Sequence, residues 1–231
     1  MFNVGPDDPL YQAVLADPDS DALRLVYADY IDDHADGPGS AARAAFIRAQ
    51  CELAPLPEGI YGRGRLRRTA AKLLYRYSQF WNGPLHRFLH RQPRRVSVDA
   101  RHGMIRRWGY GRGFVESLTV TSLAFAVHSE VLFRLGPVRE LLLLAPPADV
   151  EDMAAIPGLD RLTRIELRGW ALTDVELRTL LDSPHLRPGV SLRATVFSYA
   201  HTRQMAGDWA RRTGGRIELI QLGAWPPVTF P

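Results

Sequence analysis

Between Leu10 and Leu53 apolar positions recur at helical spacing. Leu10, Val14 and Leu15 share one face of a short helix beginning at Pro9, and Asp17-Pro18 ends it, because the residue before a proline is pushed out of the helical region. Asp19 or Asp21 is placed to cap a second helix, whose Leu23, Val26, Tyr27, Tyr30 and Ile31 follow the i, i+3, i+4, i+7, i+8 rule of one-sided burial. Past the breakers Ala35-Asp36-Gly37-Pro38-Gly39, Ser40 reads as the cap of a third helix with Ala42, Ala45, Phe46, Ala49 and Leu53 on its apolar face. Pro55 and Pro57 close it, so the segment 1–57 predicts a three-helix module.

The segment 58–112 changes character. Leu66, Ala70, Leu73, Tyr77 and Phe80 or Trp81 form a helical stripe over 65–81, and Arg68, Lys72 and Arg76 recur every fourth residue opposite it. Asn82-Gly83 breaks this helix, Pro84 opens another over 85–90 with Leu85, Phe88 and Leu89 inward, and Val96-Ser97-Val98 suits a strand. From 113 onward five apolar stretches, 115–120, 138–143, 162–167, 190–192 and 217–219, return at near-constant spacing. Aligning Leu118, Leu141, Ile165, Val190 and Ile217 gives steps of 23, 24, 25 and 27, the signature of a stacked repeat with one strand per unit.

The clearest unit, Leu162-Thr163-Arg164-Ile165-Glu166-Leu167 through Leu172, has an LxxLxLxxxxL frame that resembles a leucine-rich repeat, with Leu177, Leu180 and Leu181 as its covering helix. Trp170 stands where that repeat usually has Asn or Cys, so its side-chain ladder to the backbone cannot form here. Between the first two strands a helix carries Leu123, Val127, Val131 and Leu135 in register. The tail 223–231, rich in Pro, cannot continue the array and is read as a cap on its open edge, in preference to an exposed docking peptide.

The string DPDSDALRLVYADYIDDHADG followed by RAAFIRAQCEL, over 17–53, closely resembles the bacterial repeat-companion domain, a module usually found N-terminal to leucine-rich repeats. Trp81, Gly83-Pro84-Leu85 and Arg112-Gly113-Phe114-Val115-Glu116 are similar to that family's join between module and repeats. Tyr30 replaces the usual Trp and the loop over 37–42 is longer than usual. The family brings no established activity, so the resemblance implies architecture. The fold class expected is α/β: a helical module leading into a short, irregular leucine-rich-repeat-like solenoid with a parallel sheet. Its parts are the acidic module 1–57, a basic helical junction 58–112, the α/β array 113–222 and the capping tail 223–231.

Charge sharpens this division. The segment 63–112 holds fourteen Lys and Arg against Asp99 alone, a net +13, whereas 1–60 carries −8 and 113–231 carries −1. Such blocks point to binding: of nucleic acid, of an acidic partner, or of one block by the other. The candidate binding residues are Arg65, Arg68, Lys72, Arg76, Arg94, Arg95, Arg106 and Arg107. The candidate acidic docking face is Asp29, Asp32, Asp33 and Asp36. With His34 these acids also suit a cation, but a solvated helix end paired with Arg24, Arg43 or Arg48 is the preferred reading, since hard-cation sites recruit several oxygens from a rigid loop.

Catalytic chemistry finds little support. His86 and His90 form an HxxxH pair without the glutamate of a zinc protease or a nearby Cys pair. The run from Gly109 to Phe114 is GxGxG and enters a strand, where a dinucleotide loop needs GxGxxG and a helix, and only its Arg-Gly-Phe fits an RNA-recognition signature. No GxSxG, Walker loop, kinase set or CxxC pair occurs, so no catalytic residue, metal or cofactor is assigned and the chain is expected not to be an enzyme. At 231 residues it can bury roughly 70–75% of its unfolded surface without staples. Its single Cys51, the absence of a signal-like start and the lack of a long apolar run lead to an expected cytoplasmic, non-membrane protein. The function expected is protein–protein interaction through a repeat surface. Nucleic-acid binding through 63–112 is the alternative, and an enzyme of unrecognised type comes third.

Overall fold

The computed structural model describes residues 7–34, 37–81, 105–222 and 228–230. The chain falls into two compact units: Met1–Pro93 with Tyr110–Glu116 and Arg134–Pro137, and Arg94–Gly109 with Ser117–Phe133 and Val138–Pro231. It is mixed α/β with a mostly parallel sheet.

The first unit contains α1 (Pro9–Ala16), α2 (Asp21–His34), α3 (Pro38–Leu53) and α4 (Arg63–Trp81). Asp8 caps α1, its carboxylate accepting from the Leu10 and Tyr11 amides at 2.8 and 3.2 Å. The cap on α2 is Ser20, whose hydroxyl accepts from Leu23 N at 3.3 Å; Asp21 is the first helical residue. Ser40, expected as the cap of α3, lies inside that helix, because Gly37 and Pro38 already start it.

α3 is apolar on two sides. Ala44, Ile47 and Cys51 pack with Tyr11, Val14, Tyr27, Ala28, Ile31 and Phe114, while Phe46 and Ala49 pack with Ala70, Leu73, Leu74, Trp81 and Tyr110. Each fully buried Ile or Phe contributes about 1.5–3 kcal/mol, so Ile47 on the α2 side and Phe46 on the α4 side both anchor α3. Periodicity places all four helices, three within 1–57 and one over 65–81; what the packing adds is that α4 lies on α3. A single-stripe reading also misplaces Ala45 and Val26: both are exposed, and Arg24 takes a position on the buried face of α2.

The sheet runs in the order β1 (Arg107–Gly111), β2 (Phe114–Thr121), β3 (Glu140–Leu144), β4 (Arg164–Leu172), β5 (Ser191–Val196), β6 (Arg216–Gln221), β7 (Val228–Phe230). β2 to β6 are parallel and β7 joins β6 antiparallel. Thus the tail adds a strand against β6, and 223–227 lie outside the described residues. Arg112 and Gly113 form the two-residue β1–β2 turn with φ of 43° and 87°, the positive pair that a type I′ hairpin requires.

The parallel register aligns Leu118, Leu141, Ile165, Leu192 and Ile217. Leu192 takes the place of the expected Val190, which precedes β5, so the longest step falls between β4 and β5. That step begins where pairing shifts register between Glu166 and Ala171. Leu118, Val120, Leu141, Leu143, Ile165, Leu167, Leu192, Ala194, Ile217 and Leu219 alternate with less buried residues, so one face of the strands is buried.

Between the strands run α5 (Ser122–Arg134), α6 (Val150–Ala154), a 3₁₀ turn (Pro157–Arg161), α7 (Asp174–Leu181) and α8 (Tyr199–Thr213). Thr173 and Glu176 form a capping box that starts α7 and turns Leu177, Leu180 and Leu181 inward. α5 reverses the expected orientation. Ala124, Phe125, Leu132 and Phe133 are buried, while Leu123, Val127 and Val131 are 45%, 64% and 44% exposed. The helix begins directly at the end of β2, and its rotation is fixed there by Ser122 Oγ donating to Ala145 O (2.7 Å) and Thr121 Oγ1 accepting from Ala124 N (3.2 Å). Periodicity reports a stripe without saying which way a short connection lets it face.

The helix predicted over 85–90, the strand Val96-Ser97-Val98, His86, His90, Arg94 and Arg95 all lie outside the described residues. Among the described residues no helix is long and apolar enough to cross a membrane.

Candidate functional site

α4 is a helix of good formers, RGRLRRTAAKLLYRYSQFW, with no proline and no acid. Gly59 and Gly62, at φ of 87° and 94°, turn the chain into it, and Arg63 donates to the carbonyls of Leu53, the last residue of α3, and Leu56, just past it. Its apolar side is held by Ala70, Leu73, Leu74 and Trp81 against Phe46 and Ala49. Trp81 stacks on Phe46 at 5.2 Å and donates to Gly39 O at 2.8 Å, which fixes the C-terminal turn.

Arg65, Arg68, Lys72 and Arg76 occupy the other side and are all exposed. At 100° per residue they share an arc of about 80°, and at 1.5 Å per residue they span about 16 Å. Among the described residues no carboxylate lies within 4.0 Å of any of the four, nor of Arg67 beside them. Arg76 lies 5.6 Å from the Tyr77 ring, which leaves its charge uncancelled. The i, i+4 repulsions cost a few tenths of a kcal/mol each, and the packed side of the helix carries that load. Arg106 and Arg107 belong to the second unit, just before and within β1, and both are exposed.

Two of the four acids are otherwise engaged. Arg48 of α3 grips Asp29 at 2.7 Å and Asp32 at 2.8 Å, and these two hydrogen bonds hold its pKa above the ordinary value. All three side chains are more than a third exposed, so the clamp is worth at most about 1 kcal/mol. Asp33 is exposed and Asp36 lies outside the described residues. The structure therefore pairs Asp29 and Asp32 with Arg48 and does not bring Arg68, Lys72 or Arg76 onto them. Among the described residues no group of three or more His, Cys, Asp and Glu is placed to hold a metal.

Arg24 and Arg43, proposed partners of those acids, serve the core. Arg24 is fully buried: it donates to Pro18 O (2.6 Å), Gly111 O (3.2 Å) and Arg112 O (3.1 Å), pairs with Glu116 at 2.7 Å and lies over the Phe114 ring. Burial pushes its pKa down and the Glu116 carboxylate pulls it back. Gln50 Oε1 accepts from Gly113 N at 2.6 Å, and Arg112 reaches Asp19, Asp21 and Glu116. Arg43 lies 5.2, 5.3 and 5.6 Å from the Trp81, Tyr110 and Phe114 rings. These arginines plug the hairpin turn into the helical head. The signal available for Arg24 is its helical spacing from Tyr27, Ala28 and Ile31, all of them core.

In the second unit the less buried face of the strands carries an in-register row, Leu142, Glu166, Arg193 and Glu218. Arg193 lies 3.9 Å from Glu166 and 3.5 Å from Glu218, and Arg168 meets Glu166 at 2.5 Å. This face is charge-balanced. On α4, by contrast, Arg65, Arg67, Arg68, Lys72 and Arg76 lie within one helix with no ion-pair partner among the described residues. No protein-family model, no curated protein and no solved structure matches the chain.

Proposed function

We propose that this chain is a non-catalytic binding protein that engages nucleic acid through α4. The observation that carries the reading is the row Arg65, Arg68, Lys72 and Arg76: one exposed side of one helix, with no carboxylate partner among the described residues. A cation row on a well-packed helix supports binding of a regularly spaced polyanion, since each phosphate contact releases condensed counterions. Lone buried Cys51 suits a reducing, cytoplasmic setting.

Fluorescence anisotropy with labelled oligonucleotides at about 50 mM salt tests it. Wild type should bind with a Kd on the order of 10⁻⁴–10⁻⁶ M or tighter, and Arg68→Ala with Lys72→Ala and Arg76→Ala should weaken it on the order of 100-fold, with the far-UV spectrum and melting temperature retained. No detectable binding by wild type, or equal binding by the triple variant, overturns the reading.

A second reading places another protein on the less buried strand face of the second unit. The parallel register and the near-constant steps between strands support a degenerate leucine-rich-repeat-like solenoid, and the resemblance over 17–53 supports a repeat-companion module before it. A photocrosslinker at Leu142 should then give a discrete adduct in cells that one at Val175, exposed on α7, does not; equal labelling at both sites defeats it.

A further inference from the structure

The basic side of α4 carries one aromatic ring, and the turn before the helix a second, that the charge row does not explain. Tyr75 is 93% exposed, and it follows Lys72 by three positions and Arg68 by seven, which puts it on the same side of the helix. Tyr61, in the turn leading into α4, is 102% exposed. A single exposed ring needs no explanation. Here two lie wholly in solvent within a short stretch of chain that also holds Arg63, Arg65, Arg67, Arg68 and Lys72 and no acid.

Charge complementarity limits the occupant to a polyanion, and the rings select among polyanions. A duplex offers cations its phosphates but hides the faces of its bases inside the stack. A single strand offers both: phosphates for the cations and unpaired bases whose flat faces stack on aromatic side chains regardless of sequence. The row spans about 16 Å of helix, long enough to follow several phosphates of one strand. An acidic peptide satisfies the cations and leaves the rings in water. An anionic membrane surface calls for an apolar side facing the lipid, yet the apolar side of α4 is packed on α3.

Resting on the nucleic-acid reading above, we infer that α4 takes single-stranded nucleic acid, with phosphates on Arg65, Arg68, Lys72 and Arg76 and an unpaired base stacked on Tyr75. Tyr61 is placed to receive a second base beside the first turn.

The test uses the full chain and four probes at one low salt concentration: a 20-nucleotide oligo-dT, a 20-nucleotide oligo-rA, a 20-base-pair duplex and phosphatidylglycerol vesicles. The single strands, of either sugar, should bind at least tenfold more tightly than the duplex. Tyr75→Ala should cost on the order of tenfold on the single strands and leave the duplex unchanged, Tyr75→Phe should retain the preference, and Tyr75→Leu should lose it. Equal binding of single strand and duplex, indifferent to Tyr75→Ala, overturns the single-strand inference and leaves the nucleic-acid reading standing. Binding to vesicles with none to any oligonucleotide overturns both.

Discussion

Replacing Arg24 by Met tests the account of how the helical head holds the β1–β2 turn. Met keeps most of the volume and removes the charge. Lost with it are the bonds to the Pro18, Gly111 and Arg112 carbonyls and the 2.7 Å pair with Glu116. Breaking a buried pair by removing one partner costs about 3–5 kcal/mol. Two features reduce that here. Glu116 is 19% exposed and keeps Arg112 Nε at 3.4 Å, and a Met side chain packs well beside Phe114 and Tyr27. A net loss of about 3 kcal/mol follows, or about 6–12 °C in melting temperature for a chain of this size. Glu116→Gln alone should cost about 1–2 kcal/mol, and the double variant should fall short of the sum by about 1–2 kcal/mol. Urea unfolding followed by tryptophan fluorescence measures all three, with Trp81 reporting on the head. A loss for Arg24→Met no larger than an ordinary surface substitution gives, or strict additivity with Glu116→Gln, would refute the claim that this ion pair anchors the turn.

Other consequences are as direct. Tyr11 is buried, donates to Leu135 O at 2.6 Å and has its pKa pushed up to about 12, mainly by burial. Because the folded value lies above the unfolded value of about 10, its contribution is intact below pH 10 and is lost as pH rises toward 12. Tyr11 should therefore account for a fall on the order of 2–3 kcal/mol across that window, beside the loss from buried Tyr27, whose pKa burial also raises, and Tyr11→Phe should make the decline shallower in pH-dependent urea titrations; an unchanged slope contradicts this. At Gly113, φ is +87° and an added Cβ would sit 2.4 Å from Ile47 Cγ1 and 2.7 Å from Ile47 Cα. Gly113→Ala should destabilise by about 2–4 kcal/mol, and Ile47→Ala in the same chain should fail to rescue it, because the second clash is with backbone.

What is legible in the sequence and what is hidden follow from one physical distinction. Period-2 and period-3.6 patterns report that a segment has an apolar side, so the strands at 115–120, 162–167 and 217–219 and the helices of the head are readable. Patterns do not report how many neighbours a segment has. α3 packs on both α2 and α4, and a one-stripe reading splits its buried set and leaves Ala44 and Ile47 out. Nor do they report the rotation imposed by a short connection, which turns Leu123, Val127 and Val131 of α5 outward. Charge is legible as a total and illegible as an assignment. The blocks of opposite sign suggest mutual pairing, and Arg112 does reach Asp19 and Asp21; but Asp29 and Asp32 take Arg48, close by in the head, while Arg24 goes to Glu116, a partner so far along the chain that no local spacing encodes it. The row on α4 is visible from the four-residue spacing of Arg68, Lys72 and Arg76; its distance from the carboxylates of the described residues needs the fold.

If Arg65, Arg68, Lys72 and Arg76 hold phosphates, binding must weaken with salt in proportion to their number. For a single strand, log K falls with log of salt concentration by about 0.7 per phosphate contact, so four contacts give a slope of about −2.8 and about a 50-fold loss between about 50 and 200 mM salt. Titrating oligo-dT binding across that range, the account predicts that Arg68→Ala, Lys72→Ala and Arg76→Ala together make the slope shallower by about 2. A triple variant whose slope matches wild type would contradict it, because the phosphates would then be held elsewhere.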